Sequence, residues 1–467
     1  MLFSSMTFLE FFVAVWGVHW LLRTPRHRHY WLLAASMVFY GSWSWKFMGL
    51  LAATGAVNYF LVILMDNART DWLRHKLLLL TLLANLAQLT IFKYADFFST
   101  NLAEMLNAFG MHVTPVLLNL VLPLGISFYT FEFIAYAVDV YRRKTPVQRD
   151  PLHFAMYTMF FPRLIAGPIV RPNEFFPQLD RPRKFSWLRT QIGLQFFIWG
   201  FFKKVCVGDP LALAIDPFYA DPAAYSSMAA WLAVFGYSVQ LYCDFSGYSD
   251  MAIGLGHLLG YRLPANFRLP YLAADIREFW QRWHLSLSRW IRDYLYIAMG
   301  GSRVSPLRQL VNLIFVMVVC GLWHGAQWTY IVWGVSHGVM LAVHRQISWP
   351  KWMGVGLGRI FSIACTFLLI ALTSALFRSE SLHSAWVMYG RLFFPTSGTL
   401  YSEPMLAVFA LGLAAGLLMH LGSLELRWRE MERRLSPILV GAGWAVFILI
   451  INVLIPLTTS SFIYFQF

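Results

Sequence analysis

The chain has 467 residues, 58% of them hydrophobic and only 13% charged, with a formal net charge of +14; a soluble domain is nearer about 25% charged. That composition excludes an ordinary soluble domain, which would expose large apolar patches, and leaves a bilayer as the solvent for the apolar surface. The positive excess reads first as Lys and Arg gathered in cytoplasmic loops, with room for a phosphate-rich cytosolic ligand and no nucleic-acid partner.

Helical spans are predicted at residues 6–22, 30–45, 48–65, 77–92, 116–139, 190–207, 228–256, 308–322, 328–344, 357–377, 404–422 and 436–457. Helices rather than barrel strands are expected because the apolar runs approach the ~17–25 residues that a crossing helix needs. The run from Thr7 to Leu22 ends in a basic loop rather than a small-residue cleavage site, and so reads as a retained first helix. Basic loops follow at Arg23–His29, Arg69–Lys76, Arg142–Lys144 and Arg427–Arg434. Placing all of them in the cytoplasm gives twelve crossings with both termini outside it. The stretch from Asp209 to Ser227 has no Lys or Arg and reads as an outer loop.

Two stretches do not read as plain spans. Residues 151–189 are broken by Pro162, Pro168, Pro172 and Pro177, and residues 262–306 hold short amphipathic pieces rich in Arg, Trp and Tyr. Irregular backbone at membrane depth needs shelter from protein or a cavity, so both are expected to be re-entrant or interfacial segments on the cytoplasmic side. The expectation is an all-α polytopic membrane protein forming one domain, 1–467, with about 11–12 transmembrane helices.

Three clusters carry candidate chemistry. The first is Gly321-Leu-Trp323-His324-Gly-Ala-Gln327, a turn between two short apolar runs. An ionisable residue at membrane depth is costly, and histidine exchanges a proton near neutral pH; an interfacial imidazole bonded to a carbonyl is the plain alternative. The second runs from Asp275 to Tyr294. Continued as one helix, it sets Arg282, Arg289 and Asp293 on one face with Trp280, Trp283 and Trp290 as the apolar complement. Arg277, Arg282, Arg289 and Arg292 are phosphate-binding candidates, with Arg163 and Arg171 upstream, against a plain reading as snorkelling side chains. The third is Tyr242-Cys-Asp244-Phe-Ser246-Gly-Tyr-Ser-Asp250, where polar groups within a span serve either as interhelical glue or as site support. Cys206, Cys243, Cys320 and Cys365 are isolated, and no Cys/His spacing points to a metal.

The same segments carry a resemblance. Leu122–Phe131 resembles an LPxGISFYxF block, Phe161–Pro168 an FPxLIAGP block, Tyr242–Gly256 a YFDFSGYSDMAIGLG block, Glu278–Gly301 an EFWRRWHISLSxWLRDYLYIxLGG block, and Gly321–Gly338 a GLWHGAxxTYxxWGxxHG block. These are the blocks of the membrane-bound O-acyltransferase family, in its alginate O-acetyltransferase-like branch. Cys243 stands where that branch usually has an aromatic residue, and Arg163 where a His is common. The resemblance implies a helical shell around a tunnel, with His324 as the catalytic histidine and His284 as the histidine of the second block. It implies acetyl-CoA as a donor substrate, no permanently bound cofactor, and a bacterial inner-membrane location. The acetyl group is expected to reach an extracytoplasmic polysaccharide through a separate extracytoplasmic acetyltransferase. His324 is the expected base, and Trp323, Gln327, Asp244 and Ser246 its support. Tyr464 in the aromatic tail is similar to the C-terminal tyrosine of small partner peptides in teichoic-acid D-alanylation and becomes a candidate acyl carrier, beside a plain reading as a belt anchor. Alternatives are a transporter or flippase of a polysaccharide-export system, a membrane scaffold, and an acyltransferase for another cell-wall polymer. Release of free CoA separates the enzyme from the first two.

Overall fold

Short polar residues before the apolar runs set where helices begin. Ser5, Thr24, Ser44 and Thr70 each accept an N–H from the first turn of the helix that follows, which satisfies one of its orphan donors. The computed structural model describes residues 1–421 and 434–456. The helices are α1 (Met6–Leu21), α2 (Pro25–Gly41), α3 (Trp45–Asp66), α4 (Asp71–Leu89), α5 (Ala95–Ala108), α6 (Ile126–Tyr141), α7 (Pro151–Met159), α8 (Phe161–Leu164), α9 (Pro172–Leu179), α10 (Trp187–Phe201), α11 (Asp209–Ala220), α12 (Ser227–Leu258), α13 (Ile276–Trp280), α14 (Leu285–Ile291), α15 (Pro306–His324), α16 (Trp328–Gln346), α17 (Gly356–Arg378), α18 (Leu382–Phe393), α19 (Glu403–Leu421) and α20 (Pro437–Leu454). π-helical turns at Thr90–Tyr94 and Phe202–Gly208 carry α4 into α5 and α10 into α11. No strand occurs among the described residues beyond an isolated bridge between Tyr225 and Thr399. Six helical stretches among them are long and apolar enough to cross a membrane: Trp45–Asp66, Asp71–Lys93, Pro306–His324, Gly356–Arg378, Glu403–Leu421 and Pro437–Leu454. Arg427, Arg429, Arg433 and Tyr464 lie outside the described residues.

The chain forms two compact units, Met1–Phe196 with Ala252–Pro264, and Phe197–Met251 with Ala265–Phe467. In the first, α6 is buried along almost its whole length, as expected of a helix without a polar face. Gly125 precedes it at φ +74, and a Cβ there would lie 2.5 Å from the Leu164 carbonyl oxygen, so only glycine fits both the backbone and the space. The LPxGISFYxF-like and FPxLIAGP-like segments therefore pack directly on each other. Glu132 on α6 and Arg163 on α8 form a buried ion pair. Asn58 and Asn85 exchange amide hydrogen bonds of 3.2 and 2.7 Å between α3 and α4, a polar clasp of the kind that joins helices in lipid.

In the second unit, the π-helical turn after α10 sets two adjacent lysines against α12. Lys203 Nζ lies 2.6 Å from Asp250, and Lys204 Nζ lies 2.6 Å from Asp244 and 2.7 Å from Asp209. α15 and α16 form a tight hairpin. A Cβ on Gly321 would sit 2.1 Å from the Tyr330 oxygen, and one on Gly334 2.4 Å from the Met317 oxygen.

Three sequence expectations need correction. The span expected at 116–139 begins as a helix only at Ile126, and residues 112–123 are non-helical and largely exposed. Pro115 and Pro123 remove donors and disfavour helix in the residues before them, while the Asp96 carboxylate holds the Leu118 and Asn119 N–H groups at 2.7 and 3.0 Å. The outer loop expected after Asp209 is instead the helix α11 as far as Ala220. Pro210 occupies a first-turn position where its missing N–H costs nothing, and Lys204 neutralises Asp209. The single helical face through Arg282, Arg289 and Asp293 does not form. The chain turns between α13 and α14, with His284 at φ +42, Arg282 pairs with Glu278 and Asp293 with Arg292.

Candidate functional site

The site is built in the second unit from the α15–α16 hairpin, α17 and the turn around α13. His324 is the last residue of α15 and is buried at 6% exposure. Its ring meets Trp323 at 4.8 Å, Phe377 at 4.9 Å and Trp333 at 5.5 Å between centroids, each edge-on. Aromatic edges and faces at these separations form favourable tilted pairs and hold the imidazole in an apolar box. One α-helical turn beyond Trp333, on the same face of α16, lies His337. Its Nε2 is 3.1 Å from the Thr373 hydroxyl on α17, and its ring is 4.5 Å from Trp333.

His324 and His337 line one small chamber of about 30 Å³ together with Tyr271, Trp283, Trp333 and Phe377. That is about the share of liquid volume held by one water molecule, too little for a long chain. The Tyr271 hydroxyl is held by the Ser238 carbonyl, and the Ser374 hydroxyl, also in the wall, donates to Ile370 O at 2.8 Å. The two imidazoles are therefore the chamber's main proton-exchanging groups.

Ile370 forms part of the wall of this chamber and also of a larger cavity of about 450 Å³. The larger cavity has an apolar wall, with Met340, Val343, Cys365 and Leu369. It is also lined by His344, Lys351 and Arg359 with Asp275 and Glu278. Burial by itself would raise the Glu278 carboxyl. The Ala274 N–H at 2.7 Å and the guanidiniums of Arg282 at 2.7 Å and Arg359 at 3.3 Å outweigh it and hold the carboxyl below its ordinary range.

The sequence-predicted residues divide in three. His324, Trp323 and His284 come together: the Trp323 ring is 4.8 Å from His324 and 6.0 Å from His284. His284 does not line the chamber. Its ring packs 4.7 Å from Phe245, and neither ring nitrogen has a hydrogen-bond partner among the described residues. Asp244 and Ser246 are buried on α12 away from the chamber wall, Asp244 against Lys204. Gln327 is exposed just before α16, 3.4 Å from Thr329. Of the arginines, Arg277 and Arg292 are exposed, Arg282 pairs with Glu278, and Arg289 is half-buried on α14. None of these four lines the larger cavity. Arg163 is buried in the first unit against Glu132 and over the Tyr157 and Phe175 rings at 4.9 and 5.2 Å. Arg171 sits half-buried at the start of α9.

Sequence reasoning missed His337, Trp333, Thr373, Phe377, Lys351 and Arg359. His337 had a visible signal, since Trp333 and His337 are four apart and must share a helical face. Thr373 and Phe377 had none, because α17 reads as an unremarkable apolar span.

Comparison with known proteins identifies the family. Residues 70–349 match the model of MBOAT, the membrane-bound O-acyltransferase family. The chain is 42% identical over 400 residues to a probable alginate O-acetylase of Azotobacter vinelandii, covering 84% of this chain and 78% of the relative. It is 38% identical over 390 residues to a peptidoglycan O-acetyltransferase of Helicobacter pylori, covering 78% and 73%, and 30% identical over 252 residues to a teichoic acid D-alanyltransferase of Bacillus subtilis, covering 50% and 61%. With an all-helical, multi-pass membrane fold and a match over most of its length, the chain belongs to the membrane-bound O-acyltransferase family and is an acyltransferase.

Proposed function

We propose that this acyltransferase takes acetyl from cytosolic acetyl-CoA and relays it across the bacterial inner membrane for O-acetylation of an extracytoplasmic polysaccharide. The observation that carries the reading is the shared wall at Ile370, with a cavity lined by charged and apolar side chains on one side and the chamber of His324 on the other. Lys351 and Arg359 are the cationic groups for CoA phosphates, and the apolar wall suits the pantetheine arm. The size of the chamber favours a short acyl group.

In the proposed reaction His324 removes the proton from an acceptor hydroxyl. That oxygen attacks the thioester carbonyl, the C–S bond breaks, and CoA leaves as the thiol with the proton returned by the imidazolium. The acceptor is either a hydroxyl of a separate extracytoplasmic acetyltransferase or Tyr464, which would hand the acetyl on to it.

The test supplies acetyl-CoA to the purified chain with its acceptor partner and measures free CoA as thiol. The wild type is expected to release CoA, and His324→Ala to lose at least ~10²-fold in rate while accumulating normally in the membrane. Absence of CoA release by the wild type would remove the donor reading and favour a transporter. Tyr464→Phe is expected to stop polymer acetylation, and full acetylation in that variant would remove Tyr464 from the relay.

A further inference from the structure

The first unit holds a cleft of about 610 Å³ that the acyl-transfer reading does not use, bordered by Arg181, Arg183, Arg189 and Arg262 with Glu174 and Gln178. Its walls are built. Gln178 Nε2 donates to the Arg262 carbonyl at 3.0 Å, and the Arg262 N–H donates to Gln178 Oε1 at 2.9 Å. Arg183 donates to the Gln178 carbonyl through Nε and Nη2 at 3.1 and 2.6 Å and lies over the Tyr261 ring at 5.6 Å. Arg189 Nη1 donates to the Gly260 carbonyl at 3.0 Å. None of the four guanidiniums forms an ion pair with a carboxylate among the described residues, and the Glu174 carboxylate is engaged at the start of its own helix with the Arg171 N–H. Four cations held around one opening with a single acid call for an anion with several oxygens, which guanidinium forks bind bidentately.

The surroundings say where that anion comes from. Between Arg183 and Arg189 the chain exposes Phe185, Trp187 and Leu188. Phe185 packs on Trp16 and Trp20, at 6.1 and 5.5 Å, near the end of the apolar helix α1. Both indoles donate to the Leu258 carbonyl. Exposed aromatics at the end of an apolar helix mark the headgroup level of a bilayer. Arg28, in the first turns of α2, donates to the Arg183 carbonyl, so the basic segment that follows α1 borders the cleft. We propose that this cleft binds the phosphate headgroup of an anionic phospholipid, a mode in which basic pockets at the bilayer surface hold specific lipids.

The test titrates the full-length chain in detergent with phosphatidylglycerol and, separately, phosphatidylcholine, and counts bound lipid by native mass spectrometry. The variant is Arg181→Gln with Arg262→Gln, because both guanidiniums are exposed and neither donates a hydrogen bond among the described residues. At about 1 kcal/mol per cation near a lipid surface, phosphatidylglycerol should bind roughly 30-fold more weakly. The charge-matched Arg143→Gln/Lys144→Gln control and the charge-preserving Arg181→Lys/Arg262→Lys variant should stay within a few fold of wild type. Equal phosphatidylglycerol binding by the Gln variant, or equal binding of phosphatidylcholine, would overturn the proposal. Displacement of phosphatidylglycerol by inorganic phosphate or adenosine 3′,5′-bisphosphate at comparable concentration would also overturn it, and would assign the cleft to a soluble phosphate ligand.

Discussion

Within the chamber, two imidazoles stand in different surroundings. His324 is boxed by three aromatic rings, whereas His337 is anchored to the Thr373 hydroxyl. An imidazole with one nitrogen held by a hydrogen bond to a hydroxyl has its ring angle fixed. Thr373 therefore acts as a positioning residue through His337. Thr373→Val keeps the side chain's shape and removes that hydroxyl, and a lost hydrogen bond of about 1 kcal/mol corresponds to several-fold in rate. The expected result is a several-fold lower kcat with KM for the acyl donor little changed and a melting temperature lowered only slightly. Wild-type kcat in that variant would show that the angle of His337 has no bearing on transfer. His324 was legible in the sequence because a charged-capable residue between two apolar runs is conspicuous. Thr373 was not, because a lone threonine in an apolar helix gains meaning only from what the neighbouring helix presents to it.

Between α15 and α16, backbone meets backbone. The Cβ that Gly334 lacks would fall 2.4 Å from the Met317 carbonyl oxygen, an atom that cannot rotate aside as a side chain would. Gly334→Val should force the helices apart, with an overpacking cost of about 1–3 kcal/mol and displacement of Trp333 from His324. Thermal unfolding in detergent should show a lower Tm, while Gly17→Ala, with nothing within 4 Å of the new Cβ, should leave it unchanged. An unshifted Tm for Gly334→Val would mean that the hairpin re-spaces freely. The hairpin itself was readable, since expected spans at 308–322 and 328–344 fall within Pro306–His324 and Trp328–Gln346. What hydrophobic runs failed to show were continuations through polar residues. The lack of Lys and Arg from Asp209 to Ser227 points to an outer loop but says nothing against a helix there: Lys204 cancels Asp209, and the first turn of α11 tolerates Pro210. The span expected at 116–139 is largely apolar, but Pro115 and Pro123 keep its first part out of the helix that begins at Ile126.

At the scale of the whole chain, the basic loops remain the guide to orientation. Reporter fusions at Lys144 are expected to read cytoplasmic and fusions at Asp221 extracytoplasmic, and a cytoplasmic reading at Asp221 would reverse the assignment. The lysines of the turn between α10 and α11 add a constraint on how such a molecule is made. A lysine or aspartate at the centre of a helix costs roughly 3 kcal/mol to release into lipid, and this segment carries Lys203, Lys204 and Asp209. Two of their counter-charges, Asp244 and Asp250, belong to α12, and the Lys203–Asp250 pair spans 47 residues of chain. At about 5–20 residues per second, the ribosome delivers that partner several seconds after the lysines. The segment is expected to stay with the insertion machinery until α12 arrives, so that the two helices enter the bilayer as a neutralised pair.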